Sequence, residues 1–292
     1  MTHKRSYLIF FILLSSFALS AQTPKDSAWT KEGKVGLKLS QASFSNWATG
    51  GDNAIAFDLQ GMYRADYKHN KHLWMNRAEL AFGMANTKSI GARKTSDKIF
   101  ANSTYGYQVA KSLYISGFLN YLSQFANGYD YTTNPKTFVS QFMAPGYLST
   151  GAGITWTPNK YFTAVFSPAT WRGTFVINDT LSQQGAFGVK RGENLLSEFG
   201  GNLTLEGRYD ILKNMNIYSR LNLFSNYLRK PQNIAVSWDV QLNMTINKWF
   251  SASLATNLVY DDNIFILESN GLNKSRRVQF KELLGVGLQY NF

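Results

Sequence analysis

The residues able to do chemistry in this chain are few and badly placed for catalysis. Of its three histidines, His3 lies in the first few residues, and His69 and His72 share the short stretch KHNKH. Hydrolysis and acyl transfer usually set a histidine base beside a nucleophile or a water-activating carboxylate. Two histidines in one tight turn, with neither partner at hand, argue against that apparatus and for a non-enzymatic protein. The chain has no cysteine, which removes disulfides, thiol nucleophiles and thiolate metal sites together. Asp261 and Asp262, in the run YDDN, offer hard oxygen ligands suited to Ca²⁺. Adjacent loop carboxylates are more often simply hydrated, so no metal and no cofactor is expected.

A second set of charged residues is better organised. Asp58, Arg64 and Asp66 recur at even spacing in one segment, Arg77 and Glu79 in the next, and Glu206, Arg208 and Asp210 in a third, with Arg220 and Asp239 beyond. Residues two apart share one face of a strand. Around the turn near residue 71 the expected register pairs Asp66 with Arg77 and Arg64 with Glu79. Around residue 213 it pairs Glu206 with Arg220 and sets Asp210 against Asn216. Unlike charges directly opposite in an antiparallel pair attract by up to about 1 kcal/mol. Such a face either fills an interior with ion pairs or draws an anion to Arg64, Arg77, Arg208 and Arg220.

The elements carrying these residues are strands throughout. In NIAVSWDVQLNMTIN, the residues Ile234, Val236, Trp238, Val240, Leu242, Met244 and Ile246 alternate with an almost wholly polar set. Similar alternation predicts twelve strands, at roughly 33–44, 53–67, 73–86, 97–110, 113–125, 142–157, 161–177, 197–211, 215–228, 233–246, 249–260 and 277–292. Ser167 and Pro168 interrupt the seventh, where proline fits only an edge or a bulge. A turn there instead would make the count odd. Connectors near residues 70, 111, 158, 212 and 247 are tight. Those after Met84, Phe125, Ile177 and Tyr260 are long.

Alternation cannot say which face is outside, but composition and address can. Residues 1–21 combine Lys4 and Arg5 with an apolar run and small residues around Ser20 and Ala21, the form of a signal peptide cleaved near Ala21. Residues 22–32 then read as a short periplasmic segment and 33–292 as the barrel. Charged residues make up only 16% of the chain and aromatics 15%, against about 25% charged in soluble domains. The formal charge of +12, two units of it in Lys4 and Arg5, is spread thinly, with no basic arm for nucleic acid. It suits anionic headgroups or solutes.

The expectation is therefore an all-β chain forming a transmembrane antiparallel up-and-down β-barrel in the outer membrane of a Gram-negative bacterium. Short turns would face the periplasm and long loops the exterior. The apolar face would meet lipid and lipopolysaccharide, and the charges would line the lumen. Trp74, Trp156, Tyr161, Trp249 and Phe250 flank the short turns, as an interfacial girdle requires. Tyr129, Asp130, Tyr131 and Phe138 lie in a long loop and are candidates for ligand contact, or for packing within a folded loop.

Several stretches resemble an outer-membrane β-barrel family known as domain of unknown function 3078. They are NWATGGDNAIA from Asn46, RKTSDKI from Arg93, SQFANGYDY from Ser123, SQFMAPGYL from Ser140, LSQQGAFGV from Leu181 and INKWFSASL from Ile246. The resemblance implies a barrel and supplies no reaction, ligand or catalytic residue. Likewise, the last strand, ending on Phe292, resembles the signal read by the barrel-assembly machinery. The functional expectation is a narrow channel or solute-binding barrel with a charged lumen that takes a small anionic solute. A plugged scaffold binding a partner through its loops is the alternative, and a lipid-modifying enzyme ranks below both.

Overall fold

A computed structural model describes residues 28–43, 53–88, 91–131, 135–267 and 274–292. The signal segment lies outside them, as does most of the NWATGGDN stretch. Strands β1 (Trp29–Ala42), β2 (Ala54–His69), β3 (His72–Thr87), β4 (Gly91–Ala110) and β5 (Leu113–Ser123) open the chain. A small hairpin, β6 (Gly128–Asp130) with β7 (Thr137–Ser140), precedes β8 (Gly146–Asn159) and β9 (Phe162–Phe175). There follow β10 (Leu195–Leu212), β11 (Met215–Asn226), β12 (Ile234–Thr245), β13 (Phe250–Tyr260), the short pair β14 (Ile266–Leu267) and β15 (Lys274–Ser275), and β16 (Gln279–Asn291). Twelve of them close a barrel in the order β1-β16-β13-β12-β11-β10-β9-β8-β5-β4-β3-β2, and every pairing is antiparallel.

The expected twelve strands are thus present, with three starts moved by four residues or more; the sixth begins at Gly146 rather than 142. The first begins at Trp29 rather than 33, so the segment assigned to 22–32 runs into the barrel. The stretch from Asn86 to Asp97, expected to be a loose loop, is mostly strand: β3 continues to Thr87 and β4 starts at Gly91. These strand ends carry polar residues on both faces, such as Arg93, Lys94, Ser96 and Asp97, so no greasy side marks them.

The apolar faces point outward all round. Leu284 is 72% exposed, Leu39 65%, Phe280 62% and Ile115 61%, and Trp238 stands outside at 45%. A continuous apolar exterior of this extent needs a hydrocarbon solvent. At the short-turn end it meets a ring of aromatics. Trp29 lies 5.2 Å from Tyr67 and 5.7 Å from Trp74, Tyr161 lies 5.9 Å from Tyr209, and Trp249 stacks on Tyr290, which stacks on Phe292. The predicted girdle residues all fall here.

Phe292 seals the seam between the first and last strands. Its backbone N–H donates to the Gly33 carbonyl at 2.9 Å and its carbonyl accepts from Gly33 N–H at 2.7 Å. Its ring occupies the space where a Cβ on residue 33 would stand, so a side chain there would have to displace the ring. Pro168, the other doubtful point, sits in a bulge. The register of β9 shifts against both neighbours at this place, and Ser167 Oγ donates to the Ala152 carbonyl at 2.9 Å, supplying a donor where proline has no N–H.

Candidate functional site

The inner faces bring most of the predicted charges into one lumen, although the first predicted register is wrong. The turn after β2 consists of Asn70 and Lys71, with Asn70 in the left-handed region at φ 51°. That two-residue turn opposes Arg64 to Arg77, Asp66 to Met75 and Met62 to Glu79. The carboxylates therefore pair along each strand instead of across the hairpin: Arg64 with Asp66 at 2.7 Å, and Arg77 with Glu79. The second register holds. Glu206 opposes Arg220 and bonds it at 2.9 Å, and Asp210 opposes Asn216. Asp210 itself is exposed near the turn, outside the network of ion pairs.

Contacts across the barrel divide its interior. Strands β3 and β11, like β4 and β12, stand six places apart in a ring of twelve, directly opposite each other. Arg77 of β3 lays its guanidinium on the Tyr218 ring of β11 at 4.0 Å, and Lys98 of β4 reaches Asp239 of β12 at 3.9 Å. Arg220 of β11 covers the Phe100 ring of β4 at 4.8 Å, and Lys98 also binds Glu79 at 2.8 Å. These side chains form a latch along a diameter. Nearer the short-turn rim, Arg208 of β10 donates to Glu32 of β1 at 2.7 Å.

On one side of the latch, β5, β8, β9 and β10 face a packed interior. Tyr114 is 2% exposed, and Thr155, Ser167 and Thr170 are 0%. Ser116 bonds Thr155 at 2.7 Å, Thr170 donates to Ser167 Oγ at 2.9 Å, and Asn222 donates to Thr204 at 2.8 Å. Only a small void of about 40 Å³ remains. A chamber of about 860 Å³ has most of its lining on β11, β12, β13 and β16 and on β1 to β4, and it also reaches Asn120, Tyr147 and Arg172 of β5, β8 and β9. It is open because inner positions of β1 and β13 are small: Gly36, Ser251, Ser253 and Ala255. The stem of Lys38 crosses Gly285 and Gly287, and its Nζ donates to Ser253 Oγ at 2.6 Å.

The chamber is lined by eight lysines and arginines against four carboxylates, Glu79, Asp97, Asp239 and Asp261. Six of the cations hold carboxylates, including every lumen-lining arginine predicted to draw an anion: Arg77, Arg208 and Arg220. Arg64, the fourth such candidate, faces the small void and is likewise paired. Among the described residues, Lys38 and Lys281 alone line the chamber without an ion pair. Sequence reasoning passed over both. Their signal was positional: Lys281 alternates with Leu284, Val286 and Leu288 on the inner side of the last strand. Asp58, also predicted for the lumen, accepts from Gln60 through one oxygen, while its Oδ2 is buried with no hydrogen-bond partner.

The long-loop end carries its own small core. Ala144, Val176, Leu181 and Val189 are buried together, with Phe138, Phe187 and Leu196 packed against them. Helix α1 (Asp179–Gln183) is capped by the Asn178 side chain, which accepts from Leu181 N–H at 3.0 Å. Phe187 adopts a left-handed backbone at φ 54° and lines the chamber. The predicted ligand residues Tyr129, Asp130, Tyr131 and Phe138 gather on the β6–β7 hairpin. There Tyr129 packs on Phe138 at 5.8 Å, Lys136 lies over Tyr129 at 4.3 Å and Arg93 over Tyr131 at 4.5 Å.

Asp261 and Asp262 are already occupied by cations. Asp261 takes Arg172 at 3.0 Å, which also holds Glu198, and Asp262 takes Arg276 at 3.4 Å. Partial desolvation pushes the Asp262 carboxyl up, but hydrogen bonds from Asn233 and Tyr260 and the Arg276 charge outweigh it and hold it below the usual carboxylate range. His69 and His72 face each other across the turn, and His72 Nδ1 meets the Tyr105 hydroxyl at 2.7 Å, within the aromatic ring of the rim.

A closed antiparallel barrel, apolar outside, ringed by aromatics and chambered within, has the architecture of an outer-membrane β-barrel. A family model described as a protein of unknown function (DUF3078) matches residues 39–129, where the motifs from Asn46, Arg93 and Ser123 begin; those from Ser140, Leu181 and Ile246 lie outside the match. No curated protein matches the chain. Among solved structures, the translocator domain of the autotransporter NalP from Neisseria meningitidis is 9% identical, with 98% of this chain and 96% of that one covered and a TM-score of 0.37. An outer membrane channel from Pseudomonas putida F1 is 8% identical over 93% of this chain and all of its own, with a TM-score of 0.38. The CymD monoaromatic hydrocarbon channel is 10% identical over 90% and 87%, with a TM-score of 0.33.

Proposed function

We propose that this protein resides in the outer membrane of a Gram-negative bacterium and acts, without catalysis, as a narrow anion-preferring channel or solute-binding barrel. The signal segment ending near Ala21 would export it, and the barrel-assembly machinery would read the strand that ends at Phe292. Its apolar belt would sit in outer-membrane lipid, with the long-loop rim against lipopolysaccharide. The carrying observation is a chamber of about 860 Å³ lined by two lysines outside any ion pair, Lys38, which faces Asp58 across β1 and β2, and Lys281. An unpaired cation in a low-dielectric conduit attracts mobile anions, whereas one already bound to a carboxylate does so weakly.

The test is conductance of the purified mature protein in a planar bilayer under a potassium chloride gradient. Anion-selective steps are expected, and Lys38→Glu combined with Lys281→Glu should carry the reversal potential toward cation preference. Absence of steps at any voltage, or a potential indifferent to both changes, would defeat the channel reading. A second reading, a plugged scaffold that binds a partner through its loops, draws support from the buried core over the long-loop end and from Phe187 at the chamber wall. On that reading, replacing Phe187 by Gly leaves the protein non-conducting.

A further inference from the structure

The open half of the lumen carries more than charge. Gln241 on β12 opposes Ala255 on β13, which opposes Leu283 on β16, so a carboxamide, a methyl and an isobutyl group lie side by side on one wall. Lys281 and Gln279 follow Leu283 on the same inner face of β16. Neither Gln241 nor Gln279 has a side-chain hydrogen bond among the described residues, although most polar side chains of the lumen do. A polar group left unengaged at a wall is capacity for a ligand.

Each carboxamide can donate and accept, which is the pattern a hydroxyl group matches in both directions. Ala255 and Leu283 offer an apolar patch suited to the C–H face of a sugar ring. The volume lies within the roughly 300–1,000 Å³ usual for small-molecule sites, well beyond what a bare inorganic ion fills. Resting on the anion-preferring reading above, we propose that the chamber binds a small polyhydroxylated solute bearing a carboxylate or a phosphate. Lys281 and Lys38 take the anionic group, Gln241 and Gln279 take hydroxyls, and Ala255 and Leu283 support the ring.

The test measures block of the chloride current through the mature protein by glucose 6-phosphate, glucuronate, glucose and inorganic phosphate. Glucose 6-phosphate or glucuronate should block at a concentration at least tenfold below glucose and below inorganic phosphate; which of the two acts lower identifies the acid. Against each variant's own open current, Lys38→Gln with Lys281→Gln should raise the blocking concentration of the acid sugar at least tenfold, with Lys281→Arg restoring much of it. Gln241→Ala with Gln279→Ala should raise it for the acid sugar and leave inorganic phosphate unmoved. Equal block by glucose would remove the lysines from recognition, and equal block by inorganic phosphate would remove the sugar; either overturns the proposal while conduction stands. If the protein does not conduct, calorimetric titration of the same four probes in detergent makes the same comparison: discrimination there refutes the channel alone, and none refutes both.

Discussion

The two halves of the lumen obey the same alternation and differ in what the inner positions hold. On the β5, β8, β9 and β10 side, Tyr114, Phe118 and Val165 join Asn202 and Thr204 to fill the space between walls. On the β13, β16, β1 and β2 side, Gly36, Ser251, Ser253 and Ala255 leave more of it open. Strand number sets how wide a barrel is, but side-chain volume decides how much of that width is used. Here the latch from Arg77 to Tyr218 and from Lys98 to Asp239 separates the two regimes. The filled half holds the shape, and the open half leaves the room that the proposed binding needs.

The sharpest way to break this division is to remove the latch. Arg77→Ala leaves Glu79 buried with only Lys98 as partner and strips the cation from the Tyr218 ring. Losing one member of a buried pair costs about 3–5 kcal/mol, and urea unfolding from lipid vesicles should register that loss. A loss under about 1 kcal/mol would show that the latch does not hold the walls together. Within the filled half, Ser167→Ala deprives the Ala152 carbonyl of its donor and Thr170 of an acceptor. The same unfolding assay should show a cost of about 1–3 kcal/mol.

Adding bulk separates the halves in the opposite direction. At Gly153 a Cβ would overlap the Phe166 carbonyl oxygen, so Gly153→Ala should cost stability by about 1–3 kcal/mol through overpacking. Ala255→Trp faces open space and should fold within about 1 kcal/mol of the parent while cutting the chloride current by at least half, if the conduit runs where the chamber does. An undiminished current would place conduction elsewhere.

Strand number, inner faces and the girdle were legible because lipid demands an unbroken apolar side, which period-two alternation records residue by residue. Pairing was less so. Whether Arg64 meets Arg77 or Glu79 depends on a turn of two residues rather than four, and KHNKH reads equally well either way. Strand ends beyond the belt, as in Arg93 to Asp97, lose their signature once both faces meet polar surroundings. Which cations stay free could not be read at all, since neutralisation of Arg208 by Glu32, 176 residues away in the chain, is a fact of the closed ring.

A small effect at the long-loop end comes from Asp262. Its carboxyl titrates lower in the folded barrel than in the unfolded chain, so its contribution is present above the unfolded value near 4 and disappears as pH falls through the folded one. Because the group is only partly buried at a loop surface, screening keeps this small. Asp262→Asn should flatten the acid limb of the unfolding profile slightly below about pH 4 and leave neutral stability unchanged within about 0.5 kcal/mol. An unaltered acid limb would remove the Arg276 and Asn233 contacts from the loop's stability.

The smallest expected change is the most telling for the comparison. Lys281→Gln removes one charge from the lumen, as Arg77→Ala does, but from a residue that is exposed and has no ion pair. No carboxylate is orphaned, so unfolding should stay within about 0.5 kcal/mol of the parent. That outcome is what the proposed solute-binding role of Lys281 requires. If its removal instead destabilised the barrel as strongly as loss of Arg77, Lys281 would belong to the scaffold, and the open half would be an unfilled part of the same packed interior.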